Sequence, residues 1–262
     1  MKWAQILLWG LTMSSGESLG AEFSFEYAQH AGYGGLPVRM LVAGTRATLI
    51  RQDALEGGAP IGVFRAAITA AQQKQLMELT PDAVDSPVAP ARDAGYFVIR
   101  LRAGARTADL RIAHDPRATE KVRPLLHEIE RLETSLAWQP VRAIALELTP
   151  GFAVRFRNIG TEPVHLSFGT LGLTIESIAA EEPPKVPGVT PPARVWELAT
   201  GQATLPPGIE IAAGESADLR LPLGPTSKAK LYRARFFARG TTDPDQPELF
   251  GTATSKPVQG AR

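Results

Sequence analysis

Apolar and polar residues alternate along the first part of the chain, which is the pattern of half-buried β-strands. Phe23, Phe25 and Tyr27 alternate with polar or small neighbours, and residues 38–50 and 61–68 continue in the same way. Successive side chains of a strand point to opposite faces of a sheet, so one face of each stretch is expected to be buried. The pattern therefore predicts three strands in this part of the chain.

A short helix and a hairpin are predicted next. Thr69 and Gln72 have the spacing of a capping box, in which the threonine hydroxyl accepts a first-turn N–H and the glutamine reaches back. Two alternating stretches, 96–101 and 107–113, flank a turn at 103–104 and predict a β-hairpin.

A longer helix is predicted after the hairpin, because apolar residues recur there at helical spacing. They are Val122, Leu125, Leu126, Ile129, Leu132 and Leu136. Pro124 falls near the first turn, where the missing N–H would have no helical partner anyway. Strands combined with two helices predict an α+β domain at residues 22–138, in which an antiparallel sheet is covered by the helices.

Helical periodicity disappears after residue 140, and short alternating stretches recur between turn signals. The predicted strands are 143–148, 152–157, 164–168, 171–178, 194–198, 209–211, 217–223, 231–239 and 250–258. Many short strands separated by turns are typical of an all-β sandwich. Residues 141–259 are therefore predicted to form an immunoglobulin-like β-sandwich domain.

The segment FRNIGTEPVHLSF at 156–168 predicts a turn between two of these strands. Val154 and Phe156 are expected to face the core, while the arginines that follow each of them face outward. The asparagine and glycine within 158–160 favour a turn, since asparagine can cap the backbone and glycine is conformationally free. Pro163 then begins the next strand, where a missing N–H costs little.

Residues 1–21 have the composition of a secretory signal peptide. One lysine precedes a short apolar run at 3–13, and small and polar residues follow it. The run is too short to span a bilayer core of about 30 Å, and the pattern predicts cleavage after residue 20 or 21. A buried N-terminal helix is the alternative. The chain has no cysteine, so its fold cannot rely on disulfides. We expect a periplasmic or secreted protein.

The residues that could carry chemistry are scattered. Four histidines lie far apart in the sequence. His127 and Glu128 match the first two residues of a zinc-binding H-E-x-x-H motif, but the second histidine of that motif is missing. The chain contains no nucleophile elbow, P-loop or dinucleotide fingerprint. The acids at 243–248 do not follow the calcium-loop pattern. With a net charge of +1 there is no reason to expect nucleic acid. The sequence predicts a non-enzymatic protein with no catalytic residue, metal or cofactor.

Arginines occupy the outward positions of several predicted strands. In LYRARFFAR, alternation places Tyr232 and Phe236 inward and the arginines outward. Arg233, Arg235 and Phe237 are candidate partner contacts, because guanidinium groups pair with carboxylates and an aromatic ring can anchor an interface. The alternative is a solvated sheet face on which arginine stems cover apolar area.

Four segments of the second predicted domain share a pattern with a known family. They are VRFRN at 154–158, PV at 163–164, VWE at 195–197 and IAAGES at 211–216. With these segments, about residues 141–258 resemble the BsuPI-type proteinase inhibitors. The resemblance implies an immunoglobulin-like sandwich and an inhibitory activity.

Three segments of the first predicted domain suggest a second family. They are GYGG at 32–35, YFVI at 96–99 and PLL at 124–126. In these segments the domain is similar to emfourin-like inhibitors of thermolysin-type metallopeptidases. The resemblance implies that the glycine-rich turn and the adjoining strand faces contact a peptidase. The candidate contacts there are His30, Tyr33, Gly34 and Gly35.

These observations predict an exported, non-enzymatic protein-binding protein that acts as an inhibitor-like or immunity-like module against a peptidase or toxin. Its partner is expected to be another protein, with no nucleic acid and no membrane span in the mature chain. The alternative is an envelope structural or assembly factor that docks onto a larger complex.

Overall fold

A computed structural model of the chain describes residues 23–30, 38–54, 58–83, 95–114, 119–181, 195–199, 205–223, 225–240, 245, 249 and 251–260. Within these residues the helices are α1 (Ala70–Leu79) and α2 (Arg123–Ser135). The strands are β1 (Phe23–His30), β2 (Val38–Ala43), β3 (Arg46–Arg51), β4 (Asp53–Ala54), β5 (Ile61–Ala67), β6 (Tyr96–Ala103), β7 (Arg106–Ala113), β8 (Gln139–Leu148), β9 (Ala153–Asn158), β10 (Val164–Ala179), β11 (Glu197–Leu198), β12 (Gly208–Ile211), β13 (Ser216–Arg220), β14 (Lys230–Arg239), β15 (Gly251–Thr254) and β16 (Val258–Gln259).

The strands form two sheets. In the described part of the chain, the large sheet has nine strands in the order β13-β9-β8-β5-β3-β2-β1-β6-β7, and every neighbouring pair is antiparallel. The small sheet follows the order β11-β10-β14-β15-β4, with β12 beside β10 and β16 beside β14. The protein is thus mostly β, with two helices and large antiparallel sheets in the described residues. This coarse part of the predicted fold class is confirmed. The α+β domain and the immunoglobulin-like sandwich both stay predictions.

Two hydrophobic cores lie on opposite faces of the large sheet. One core contains Leu76 of α1 and Leu125 of α2 together with inward residues of β1, β2, β3, β5, β6 and β7. The other contains residues of β8 and β9 together with the small sheet. Ala143 belongs to the first core and its neighbour Ile144 to the second. Because neighbouring residues of a strand point to opposite faces, the helices and the small sheet cover opposite sides.

The large sheet continues through the predicted boundary between the two domains. Strand β8 begins at Gln139 and pairs with β5, which precedes the boundary by more than seventy residues. Ile61 of β5 also belongs to the core of the small sheet. The two cores therefore share one framework of backbone hydrogen bonds, and the division into residues 22–138 and 141–259 stays a prediction.

Gly62 permits the close approach of β5 and β8. Its φ is +136°, a backbone conformation that L side chains rarely adopt. A Cβ atom at this position would lie 2.1 Å from the carbonyl oxygen of Arg142 and 2.6 Å from the Cα of Ala143. A side chain at residue 62 would therefore push the two strands apart.

Several predicted elements are confirmed. The capping box of α1 is present, with the Gln72 N–H donating to the Thr69 hydroxyl at 3.3 Å and the Thr69 N–H donating to Gln72 Oε1 at 2.8 Å. Strands β6 and β7 form the predicted hairpin. Pro124 lies in the first turn of α2. Among the described residues, neither helix has the length and apolar composition that a bilayer crossing requires.

Other strand boundaries were predicted wrongly. Residues 38–50 form the hairpin of β2 and β3 rather than one strand, because the chain turns at Gly44, which has a φ of +53°. Residues 164–178 belong to the single strand β10. Its register against β14 shifts between Phe168 and Leu173, and this irregularity interrupts the alternation of side chains. The last predicted strand divides into β15 and β16.

Asn158 organises the turn within FRNIGTEPVHLSF. Its side chain is fully buried, its Nδ2 donates to the carbonyl oxygens of Glu162 at 2.9 Å and Ile211 at 3.0 Å, and its Oδ1 accepts from the N–H of Gly160 at 2.9 Å. The predicted side-chain cap is therefore present, and it also ties the turn to β12. As predicted, Val154 and Phe156 are buried.

Replacing Gly62 with alanine is expected to lower the free energy of unfolding by at least about 3 kcal/mol, because the new methyl group collides with the backbone of β8 and the backbone conformation is strained. Urea denaturation would measure the change. Gly151→Ala is the matched control, since the nearest atom to a Cβ at residue 151 would be 4.0 Å away. Equal stability of the two variants would contradict the close approach.

Asn158→Ala is expected to lower the free energy of unfolding by about 2–4 kcal/mol, because two buried backbone groups and a third, partly buried one lose their partner. Arg157→Ala changes the exposed neighbour and is expected to shift stability by no more than about 0.5 kcal/mol. Thermal and urea denaturation of both variants would test this. A cost at Asn158 as small as at Arg157 would show that its hydrogen bonds do not hold the turn.

Candidate interaction surfaces

Strand β14 carries three of the candidate contacts on the outer face of the small sheet. Tyr232 and Phe236 are buried, as the alternation predicted. Arg233, Arg235 and Phe237 occupy the positions between and after them, so they point away from the core. The structure thus places these three candidates together on one side of one strand.

Glu176 of β10 holds the two arginines. Its carboxylate lies 2.8 Å from Nη2 of Arg233 and 3.5 Å from Nη1 of Arg235. The guanidinium of Arg233 also lies over the ring of Trp196, with its Cζ 4.1 Å from the ring centroid. Arg233 is consequently fixed by an ion pair and a stacking contact, and the half-buried Glu176 shares its charge between two cations. The group of three ionised side chains keeps one net positive charge.

An open groove of about 330 Å³ runs beside this cluster. Phe237 and Leu198 line it and are 39% and 63% exposed, and the remaining lining residues are Thr174, Glu176, Arg235 and Thr252. Among the described residues, the exposed large hydrophobic side chains are these two and Val195, which leads into β11. Two of the three exposed large hydrophobic side chains in the described chain therefore lie in this groove.

Leu198 was missed as a candidate contact. It lies far from β14 in the sequence and reaches the groove because β11 pairs with β10, where Leu198 is opposite Glu176. Residues 194–198 were predicted to form a strand, and VWE at 195–197 carried part of a family resemblance, but neither observation pointed to Leu198 as a contact. The short alternating pattern of this segment contains no signal for the strand that it joins, so its neighbours were not predictable.

His30 lies on the other sheet. It is the last residue of β1, and its ring stacks on Tyr96 of β6 at 4.2 Å between centroids and 12° between planes. The guanidinium of Arg111 lies over the same tyrosine, 3.9 Å from the ring centroid. Burial lowers the pKa of His30 below its ordinary value, and the positive charge of Arg111 lowers it further.

The same outer face of the large sheet carries an ionic cluster. Glu26 of β1 accepts from Arg39 at 2.9 Å and from Arg100 at 3.0 Å, and Arg100 also lies 3.5 Å from Asp109. These pairs link the neighbouring strands β2, β1, β6 and β7, so they orient the side chains of this face. His30 and Arg233 therefore belong to two different charged faces, one on each sheet.

The remaining candidates Tyr33, Gly34 and Gly35 lie outside the described residues. Of the acidic loop 243–248, the structure describes only Asp245, which lies 3.7 Å from Arg65. Within the described parts of the chain, no group of three or more His, Cys, Asp or Glu side chains is arranged to hold a metal ion.

His30 is expected to titrate below the ordinary histidine pKa of about 6.5. Arg111→Gln is expected to raise the pKa of His30, because it removes the positive charge that lowers this pKa most. An NMR titration of the His30 ring would measure both. Arg46→Gln is the control, because Arg46 is not among the charges that shift this histidine. No upward shift in the Arg111 variant would contradict the stacked arrangement.

No family model matches this chain. No curated protein matches it, and no solved structure does. The resemblances to BsuPI-type and emfourin-like inhibitors stay predictions.

Proposed function

We propose that this protein is an exported, non-enzymatic binding protein that holds a protein partner on the outer face of the small sheet, as an inhibitor-like or immunity-like module against a peptidase or toxin. The observation that carries the proposal is the groove in which the exposed side chains of Phe237 and Leu198 flank Arg235. The export and the peptidase or toxin target come from the sequence pattern and the family resemblances.

The composition of this face supports a protein partner. Aromatic residues and arginine are enriched at the centres of protein interfaces, and the groove combines Phe237 and Arg235, with Trp196 and Arg233 beside it. Burial of exposed apolar side chains against a partner lowers the free energy of the complex. A charged group next to them favours one orientation of the partner, because an opposite charge on the partner must lie close to it.

The two arginines would contribute to binding in different ways, and Arg233 reduces its entropic cost. Glu176 and Trp196 already restrict Arg233, so a partner would not need to immobilise a freely moving side chain there. Arg235 is about half exposed and is only loosely held by Glu176 at 3.5 Å. It can turn its guanidinium toward a carboxylate of the partner. The partner surface that fits best presents an apolar side chain beside an acidic one.

The test is a comparative pull-down from the envelope fraction, with the predicted mature chain from residue 22 as bait and partners identified by mass spectrometry. Phe237→Ala is expected to weaken binding at least tenfold, about 1.4 kcal/mol, because it removes a central anchor. Arg235→Glu is expected to weaken it further by placing like charges together. Arg157→Glu is the matched control, an exposed arginine of β9 on the large sheet.

A stoichiometric hydrolase or toxin that the wild type and the Arg157 variant retain, but the Phe237 and Arg235 variants lose, would support the proposal. An activity assay of that partner would then measure inhibition. A partner that all four baits retain would refute the groove as the binding face. Recovery of envelope assembly proteins without a hydrolase or toxin would favour the structural or assembly alternative.

A further inference from the structure

We propose that the edge of strand β7 pairs with β7 of a second copy of this chain, so that two large sheets join into one continuous sheet. Strand β7 (Arg106–Ala113) is the last strand of the large sheet, and among the described residues only β6 pairs with it. A regular eight-residue edge offers a row of backbone donors and acceptors that another strand can take. The small-sheet groove has no part in this contact.

The hydrogen-bonding pattern identifies which residues offer those groups. The N–H of His114 donates to the carbonyl oxygen of Gly95 at 3.0 Å, directly beyond the end of β7. Residues of an antiparallel strand alternate in the side to which their backbone groups point. Even-numbered residues of β7 therefore bond to β6, and Thr107, Asp109 and Arg111 direct their N–H and C=O groups to the open edge. All three are exposed.

The charges of β7 select one register for pairing with a second copy. An antiparallel pair centred on Asp109 would place Asp109 opposite Asp109, and one centred on Arg111 would place Arg111 opposite Arg111. A pair centred on Leu110 places Asp109 of each copy opposite Arg111 of the other. Opposite charges across a strand pair stabilise it and like charges destabilise it, so the register centred on Leu110 is the favoured one.

The apolar side chains agree with this register. When Leu110 faces Leu110 of the second copy, Ala108 faces Ile112 on the same side of the sheet. These residues point toward the helix-side core, where all three are buried. The two-fold pairing thus aligns the apolar faces of the two sheets while the charged faces meet on the other side.

The two charged side chains are available for the contact. The side chain of Asp109 is 75% exposed, and its ion pair with Arg100 is long at 3.5 Å. Arg111 lies over Tyr96 and makes no ion pair within the described residues. Charged residues commonly protect an edge strand from pairing. Here their alternating sign instead makes the edge complementary to itself.

Sedimentation equilibrium of the full chain tests the pairing. The wild type is expected to dimerise, and Asp109→Arg or Arg111→Asp alone is expected to weaken dimerisation at least tenfold by opposing like charges. The double variant Asp109→Arg/Arg111→Asp restores opposite charges and is expected to recover the dimer. Arg102→Asp, on the same face but on β6, is the control and is expected to leave the dimer unchanged. A monomeric wild type, or no recovery in the double variant, would overturn the proposal.

Disulfide trapping tests the register independently, because the chain has no native cysteine. The proposed pairing places Thr107 opposite Ala113 of the second copy. Mixing Thr107→Cys and Ala113→Cys proteins under oxidising conditions is expected to give a covalent dimer that contains one of each, while either protein alone stays monomeric on a non-reducing gel. Both variants lie at the strand ends and keep Asp109, Leu110 and Arg111. Equal cross-linking of a single variant with itself, or none in the mixture, would overturn the register.

Discussion

The pairing of β5 with β8 is the contact on which the rest of the structure depends. It joins the strands that the helices cover to the strands that face the small sheet. It also requires the two backbones to approach at Gly62 so closely that a side chain there is excluded. Beside this point the register shifts between Val63 and Phe64. Because β8 supplies Ala143 to one core and Ile144 to the other, one strand connects both cores.

Because the helices and the small sheet cover opposite sides of the large sheet, two outer faces remain, and their side chains differ. The helix-free face of β1, β2, β6 and β7 is polar and ionic, and Glu26 holds its arginines across neighbouring strands. The outer face of the small sheet combines a tied guanidinium with exposed apolar side chains. In each face a half-buried carboxylate lies between two arginines and holds at least one of them in a close ion pair.

Local patterns predicted local structure well. The capping box at Thr69, the hairpin of β6 and β7 and the two faces of β14 depend on neighbouring residues alone, and each is confirmed. Prediction was wrong where alternation is interrupted, as within β10, or where a single glycine such as Gly44 turns the chain. The candidate contacts on β14 were found from alternation, whereas Leu198 of the same groove was not, because the pairing of β11 and β10 is remote in sequence.

The sequence by itself determined which residues are inside and outside the strands that alternate regularly, such as β14, where the helices begin, and that the cores contain no disulfide, because these properties follow from side-chain chemistry at short range. Only the tertiary structure decided the order of the strands, the faces covered by the helices and by the small sheet, and the neighbours of Glu176. Strand order depends on backbone hydrogen bonds, which every residue type except proline can donate and accept, so the sequence pattern carries little information about which strands become neighbours.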